Sequence, residues 1–193
     1  PDTRMIATNN PNNPTGALMD REMLTQIAEI ARGSDAWVLC DEVYRGTDQA
    51  GDGYTASICD LYDKGISTAG MSKAYSLAGL RVGWVAGPRD LLERIMIHRD
   101  YNTISVGRID EYFSALALEN RGKILERAHR ITRENLAILS DWVEAEPLIS
   151  WVRPGSGTTA LVKYDLPLPS RDFCTRLLEE EGVLFTPGSA MDM

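Results

Sequence analysis

The sequence has no long apolar run and no cluster of basic side chains. A helix that crosses a bilayer needs about 20 consecutive apolar residues, and the apolar segments of this chain are much shorter. Lysine and arginine total 20 against 28 aspartates and glutamates, so the net charge is −8 and the isoelectric point is near 4.8. Nucleic-acid binding needs clustered positive charge to neutralise phosphates. The composition therefore argues against a membrane or a nucleic acid as a partner.

Cysteine and histidine are also scarce. Cys40, Cys59 and Cys174 lie far apart, and neither His98 nor His129 has another ligand at metal-binding spacing. We therefore expect no metal site. Separated cysteines in an odd number are typical of reduced thiols in a cytoplasmic protein. Cys40 lies inside an apolar run and is expected to be a small core residue.

The residues that are present indicate an α/β fold. A chain of 193 residues, of which 44% are hydrophobic, is long enough to form a substantial core. The amphipathic segment Asp20–Arg32, capped by its first residue, separates the strand candidates Thr3–Asn9 and Asp35–Tyr44. Two further strands are expected at Gly65–Gly70 and Val82–Gly87. Because a strand-helix-strand order predicts a parallel pair, we expect a mostly parallel sheet with flanking helices.

The second half of the chain is expected to contain a smaller α+β domain. Helices are predicted at Arg89–Arg99, capped by Asp90, and at Asp110–Asn120. The long pattern Arg121–Glu146 predicts a helix that connects two domains, because no heptad repeat persists through it. Two strands, a helix and a third strand are expected after it, at Ser150–Arg153, Thr158–Tyr164, Ser170–Glu181 and Val183–Thr186. We therefore assign residues 1–120 to a large domain, and residues 121–193 to the connecting helix and most of a small domain.

One lysine stands among small and hydroxyl residues directly after the third predicted strand. Lys73 follows Gly70-Met71-Ser72 and precedes Arg81 by eight positions. A neutral lysine amine is a nucleophile toward aldehydes, and an arginine fork suits a pair of phosphate oxygens. Taken alone, such a pattern more often marks an ordinary loop lysine.

Two other predicted strands are followed by polar residues. The segment Asn9–Gly16 reads Asn-Asn-Pro-Asn-Asn-Pro-Thr-Gly, and the second strand leads into Asp41-Glu42-Val43-Tyr44. Ligands of parallel α/β sheets gather at the carboxyl ends of the strands, so Asn13, Asp41 and Lys73 are expected at one edge. Taken singly, Asp41 could be a capping residue, Tyr44 a core residue and Asn13 a turn residue before proline.

Together, the three segments resemble the class I/II aminotransferases of fold-type I, which use pyridoxal 5′-phosphate (PLP). The resemblance extends from the Asn-Pro-Thr-Gly turn to Pro187-Gly188-Ser189. It implies that Lys73 holds the PLP aldehyde as an imine and, once displaced by substrate, acts as the general base. It also implies that Arg81 anchors the 5′-phosphate. Ser72 would orient the lysine or contact the phosphate, or would simply be a small turn residue.

The same resemblance assigns three further residues to the cofactor ring. It implies that Asp41 pairs with the protonated ring nitrogen, and that Tyr44 and Asn13 hydrogen-bond to the phenolic oxygen. Many relatives carry a serine that binds the phosphate three residues before the lysine, where this chain has Gly70. That departure removes one expected phosphate contact.

The implied activity is ping-pong transfer of an amino group from an α-amino acid to a 2-oxo acid by a cytoplasmic homodimer. Tyr101 and Asn102 are candidates to approach the partner's site, or they simply pack at a helix start, and Thr158 and Thr159 suggest a polar rim on a substrate-facing turn. Family members are longer and this chain begins at Pro1, so we expect a fragment that lacks the N-terminal part and the extreme C-terminus. The alternatives are a PLP-dependent β-lyase or cyclase of the same fold, and a non-catalytic homologue.

Overall fold

The first half of the chain forms a four-stranded sheet, called the central sheet below, in a computed structural model that describes residues 2–192. Its strands are β1 (Met5–Asn9), β2 (Trp37–Asp41), β3 (Gly65–Gly70) and β4 (Gly83–Ala86), in that order across the sheet. β1, β2 and β3 run parallel, whereas β4 pairs antiparallel with β3. The predicted mostly parallel sheet of an α/β fold is confirmed.

Helix α1 (Arg21–Gly33) connects β1 to β2 and forms as its sequence predicts. The side chain of Asp20 accepts a hydrogen bond from the Met23 backbone N–H, 2.9 Å away, and so caps the first turn. The apolar residues of its inner face recur at helical spacing and are buried. They join the residues that follow the helix in one core cluster, made of Ala28, Ala31, Ala36, Val38, Cys40, Ile58 and Tyr62.

Cys40 belongs to this core, as predicted. Its side chain is fully buried, and this burial raises the pKa of the thiol to about 11. The thiol is therefore neutral at physiological pH and behaves as a small apolar group.

The rest of the chain is mainly helical. Helices α2 (Arg89–Arg99), α3 (Arg108–Glu119) and α4 (Arg121–Ala145) follow the central sheet. Strands β5 (Ile149–Trp151) and β6 (Val162–Tyr164) then pair antiparallel in a second sheet, and α5 (Ser170–Glu181) comes after them. Short 3-10 turns occupy Ile58–Asp60, Ala78–Leu80 and Gly188–Met191.

Several sequence predictions need correction. Asp90 does not cap α2, because Pro88 occupies the cap position; Asp90 lies in the first turn instead, where the helix dipole favours negative charge. Val183–Thr186 was predicted as a strand but forms none in the described part of the chain. Its β-type pattern is present, but a strand also needs a paired neighbour, and β5 and β6 pair with each other. The strands predicted at Asp35–Tyr44 and Thr158–Tyr164 are shorter, at Trp37–Asp41 and Val162–Tyr164.

Residues 2–192 contain neither a membrane-spanning helix nor a metal cluster. None of the helices in this range combines the length and the apolar character needed to cross a membrane. In the same range, no group of three or more histidine, cysteine, aspartate or glutamate side chains is arranged to hold a metal ion.

Candidate active site

The carboxyl ends of β1, β2 and β3 meet at one edge of the sheet. In the parallel register Asn9 pairs with Asp41, and Asp41 pairs with Thr68, two residues before the end of β3. The turns that leave these three strands therefore start side by side. This is the edge at which Asn13, Asp41 and Lys73 are expected from the sequence.

The asparagine-rich turn after β1 is held in place by its own side chains. Asn9 accepts a hydrogen bond from the Asn13 backbone N–H at 2.8 Å and donates one to the Asp41 carbonyl at 3.0 Å. Asn10 is almost fully buried and bonds both the N–H and the carbonyl of Met19, at 2.8 and 3.0 Å. These two asparagines fix the turn and thereby aim Asn13. Motif reading singled out only Asn13 and did not identify these two supporting asparagines.

Asn13, Tyr44 and Lys73 come together at this edge. The side-chain amide of Asn13 donates a hydrogen bond to the Tyr44 hydroxyl at 2.8 Å. Tyr44 is 3% exposed, so this bond holds a buried ring in a fixed orientation. The Lys73 Nζ lies 5.3 Å from the centre of the same ring, within the range of a cation–π contact. The side chain of Lys73 is exposed to solvent.

Asp41 ends β2 with an exposed side chain. One carboxylate oxygen accepts a hydrogen bond from the Val43 backbone N–H at 3.0 Å. This contact fixes the direction of the carboxylate at the strand end and leaves acceptor capacity for a ligand. An aspartate in this position can bind a positively charged group at the sheet edge.

Lys73 and Arg81 lie on the connection between β3 and β4. The connection is closed at its base by the pairing of Gly70 with Gly83. Lys73 begins a tight turn in which its carbonyl accepts from the Ser76 N–H at 3.0 Å. Arg81 has a left-handed backbone (φ 53°), and its exposed guanidinium donates to the Ala78 carbonyl at 2.8 Å. Arg81 therefore stands at the far end of the loop that begins with the lysine.

The structure also explains why a glycine precedes the lysine by three positions. A Cβ at Gly70 would lie 3.0 Å from the Val82 carbonyl oxygen and 3.3 Å from the Gly83 Cα. Both neighbours are backbone atoms, so a serine here would push the strands β3 and β4 apart. Ser72 is half-buried directly before Lys73.

A cleft of about 410 Å³ opens beside Lys73. One wall is the turn with Lys73 and Ser76, and a second wall is α4, which contributes Thr132 and Leu136. The third wall is the Gly157–Ala160 segment that leads into β6. Its size and its mixture of apolar and hydroxyl groups suit a small organic molecule.

A buried carboxylate lies behind this cleft. Asp48 is 6% exposed, and its Oδ1 accepts a hydrogen bond from the Ser156 hydroxyl at 2.8 Å. Burial is the main reason that the pKa of Asp48 lies above its ordinary value of 3.8. Because the folded protein then holds this proton more tightly than the unfolded chain, Asp48 lowers the free energy of unfolding as the pH rises through the raised pKa.

The Asp48→Asn substitution should therefore become more favourable to folding as the pH rises. It keeps an acceptor oxygen for Ser156 and removes the buried ionisation. We expect the free energy of unfolding of Asp48→Asn, relative to wild type, to increase as the pH rises from the ordinary aspartate pKa of 3.8 through the raised pKa of Asp48. Urea unfolding at several pH values measures this difference. A difference that stays constant or decreases with pH would contradict the assignment.

Asp35→Asn provides a matched comparison of opposite sign. A hydrogen bond from Lys64 lowers the pKa of the exposed Asp35 carboxyl. Its stabilising contribution is present above the ordinary aspartate pKa and is lost as the pH falls through the lowered value. We expect Asp35→Asn to weaken folding slightly at neutral pH and to have no effect in acid, since exposed ion pairs contribute little.

Comparison with known proteins shows the family to which the chain is similar. A sequence model of the family described as aminotransferase class I and II matches residues 1–193. The chain is 33% identical over 187 residues to capreomycidine synthase of Streptomyces vinaceus, a match that covers 96% of this chain and 48% of that protein.

Two solved structures are also similar. A PLP-dependent aminotransferase from Streptococcus suis superposes with a TM-score of 0.94 at 45% identity, covering 98% of this chain and 50% of that one. The PLP-dependent cyclase OrfR superposes with a TM-score of 0.89 at 27% identity, covering 98% of this chain and 52% of that one. The chain thus spans about half the length of the relatives it matches. With a matching family model over its full length and relatives of the same fold, the chain belongs to the class I and II aminotransferase family.

Proposed function

We propose that the full-length protein transfers the amino group of an α-amino acid to a 2-oxo acid, with PLP as its cofactor. The observation that carries this proposal is the lysine amine 5.3 Å from the ring of a tyrosine whose hydroxyl is bonded to Asn13. An amine, a phenol, an amide and a carboxylate at one sheet edge match the functional groups of PLP, which carries an aldehyde, a phenolic oxygen and a basic ring nitrogen. The residues of this chain therefore fit that cofactor.

Bound PLP supplies an electron-withdrawing ring that can accept negative charge from the substrate Cα. Asp41 would bind the protonated ring nitrogen and so keep the ring able to take up that charge. Tyr44 and Asn13, already bonded to each other, would donate to the phenolic oxygen. Arg81 would anchor the phosphate, and Ser72 would orient Lys73 or contact the phosphate.

Lys73 has two roles in this proposal. Its Nζ would hold the cofactor aldehyde in the absence of substrate. Once the substrate amine occupies that position, the freed Lys73 amine would accept the substrate α-proton and hold it for return. The exposure of Lys73 to the cleft gives substrate access to this atom.

The proposed assembly is a cytoplasmic homodimer. Several large apolar side chains of α2, α3 and their connection are exposed, among them Ile97 at 63%, Tyr101 at 90% and Ile109 at 71%. Such a concentration of apolar surface is typical of a buried interface. The free cysteines, including Cys59 and Cys174, support a reducing compartment.

The test uses the purified full-length protein loaded with PLP and one amino acid at a time. Transamination predicts that an amino acid alone converts the cofactor to its amine form, with one equivalent of 2-oxo acid and no ammonia. Adding a 2-oxo acid should then restore the original absorbance. A panel of amino acids also identifies the preferred donor. Failure of every donor to change the absorbance would contradict the proposal.

A cyclase or a β-lyase of the same fold is the second candidate, and the similarity to OrfR favours the cyclase. These reactions also begin with removal of the α-proton, but they end in ring closure or in loss of a β-substituent. The protein would then convert many equivalents of one substrate without any 2-oxo acid acceptor. If the protein turns over a single substrate many times without a 2-oxo acid, it is a cyclase or a β-lyase and not an aminotransferase.

A further inference from the structure

The connection between β5 and β6 is bonded to distant parts of the chain. Within it, Gly155, Ser156 and Gly157 form hydrogen bonds to residues that precede them by more than 100 positions. Ser156 is 0% exposed. A connection between two strands normally lies on the surface, so this burial indicates a specific attachment.

The first attachment is to the turn that follows Tyr44. The Thr47 hydroxyl accepts from the Gly157 N–H at 3.0 Å and lies 3.2 Å from the Ser156 hydroxyl, which donates to Asp48. The same Thr47 hydroxyl donates to the Tyr44 carbonyl at 2.5 Å. Thr47 is 2% exposed. One buried hydroxyl thus connects the backbone of Tyr44 to the backbone of Gly157.

Gln49 adds two bonds beside this hydroxyl. Its backbone N–H donates to the Gly155 carbonyl and its side-chain amide donates to the Gly157 carbonyl, both at 3.0 Å. Gln49 and Gly157 line the cleft that contains Lys73.

The second attachment is to the asparagine-rich turn. The Gly16 carbonyl accepts from the N–H groups of Gly155 and Ser156, at 2.9 and 3.1 Å. Gly16 follows Asn13 by three residues. The segment is therefore bonded both to the turn that carries Asn13 and to the turn that carries Tyr44.

We infer that Thr47 and Ser156 are positioning residues of the active site. With Gly16, Asp48 and Gly157 they form a buried polar clasp that holds the Asn13–Tyr44 pair in register with the substrate cleft. Thr158 and Thr159 directly follow the clasp and line the cleft together with Lys73. The inference rests on the proposed function, because that proposal assigns the Asn13–Tyr44 pair to the cofactor and the cleft with Thr158 and Thr159 to the substrate.

The test compares Thr47→Val with Thr47→Ser in the PLP-loaded full-length protein. Valine has nearly the shape of threonine but can neither accept from Gly157 nor donate to Tyr44, whereas serine keeps both bonds. We expect Thr47→Val to raise the KM for the amino acid roughly tenfold, the scale of one lost buried hydrogen bond. We also expect it to shift the pH midpoint of the cofactor absorbance, measured without substrate, by roughly half a pH unit or more. Thr47→Ser should restore both values.

A purely structural role is tested with Tyr62→Phe. The Tyr62 hydroxyl donates to the Ala36 carbonyl at 2.8 Å and is 6% exposed, so its removal also deletes a buried hydrogen bond, but in the core cluster. Tyr62→Phe should lower stability while leaving the KM and the pH midpoint unchanged. If Thr47→Val behaves in the same way, the positioning role is refuted.

Two further measurements keep the inference testable. If Thr47→Val does not fold, Gln49→Met takes its place. This variant removes only the Gln49 side-chain bond to Gly157, so it should change the KM and the pH midpoint in the same direction but by less. If the wild-type protein does not transaminate, the pH midpoint of the bound cofactor still reports on the clasp. Wild-type values in both Thr47→Val and Gln49→Met would overturn the inference and leave the proposed function intact.

Discussion

The Lys73→Ala variant of the full-length protein is expected to transfer amino groups roughly 1000-fold more slowly than wild type, or not at all. In the proposed function, this one substitution removes both the atom that would bind the cofactor aldehyde and the base that would accept the α-proton. Alanine can do neither, and the hydroxyls of the same loop, on Ser72 and Ser76, are much weaker bases than an amine. The rate is measured as 2-oxo acid formation at saturating PLP.

A second readout does not depend on turnover. Borohydride reduction of the wild-type holoenzyme, followed by digestion and mass spectrometry, should place the cofactor mass on the peptide that contains Lys73. The Lys73→Ala variant should lose this label. Lys73→Arg should lose it as well, although it keeps a positive charge over the Tyr44 ring.

Lys123→Ala is the matched control. Lys123 is exposed on α4, and its substitution should leave both the rate and the labelling unchanged. Labelling of a different lysine in the wild-type protein would show that the assignment is wrong. A holoenzyme that binds PLP but gives no label and no turnover would favour a non-catalytic homologue.

The sheet edge could be predicted because its signals are local. Polar residues directly follow three apolar strands, and parallel strands bring such ends together, so the neighbourhood of Asn13, Asp41 and Lys73 follows from chain order. The 2.8 Å bond between Asn13 and Tyr44 agrees with that expectation. The roles of these residues toward PLP stay predictions, as does the domain division near residue 121.

The clasp could not be predicted, because its partners are far apart in sequence. Thr47 and Ser156 are separated by 109 residues, and serine and threonine beside glycine normally indicate an exposed turn. They are buried because two loops that are distant in sequence pack against each other. A periodic sequence pattern carries no information about such packing. The strand predicted at Val183–Thr186 was wrong for a related reason, since pairing depends on a neighbour that the local pattern does not specify.

The Gly16→Ala substitution is expected to be the most destabilising single methyl addition near the site. Gly16 has a left-handed backbone (φ 68°), and a Cβ there would overlap the Pro154 Cβ and lie 2.9 Å from the Ser156 carbonyl oxygen. Backbone strain and overpacking together should lower the free energy of unfolding by about 2–5 kcal/mol. Because the Gly16 carbonyl also accepts two hydrogen bonds from the clasp, any shift that relieves the clash weakens those bonds. Urea unfolding measures the loss.

Two other glycines separate the causes of that loss. Gly33, the last residue of α1, has no left-handed backbone. Apart from its chain neighbours and the backbone of its own helix, no atom lies within 4 Å of the position that an added methyl would occupy. Gly33→Ala should therefore be neutral or slightly stabilising. Gly51 has a left-handed backbone (φ 59°) but open space around it, so Gly51→Ala should lose about 1 kcal/mol from strain alone. The difference between Gly16→Ala and Gly51→Ala then measures the close approach of Gly16 to Pro154. If the two variants are equally stable, the Gly16 turn is not packed as closely against Pro154 as the clasp requires. Thr47 and Ser156 could then not hold the Asn13–Tyr44 pair in a fixed position.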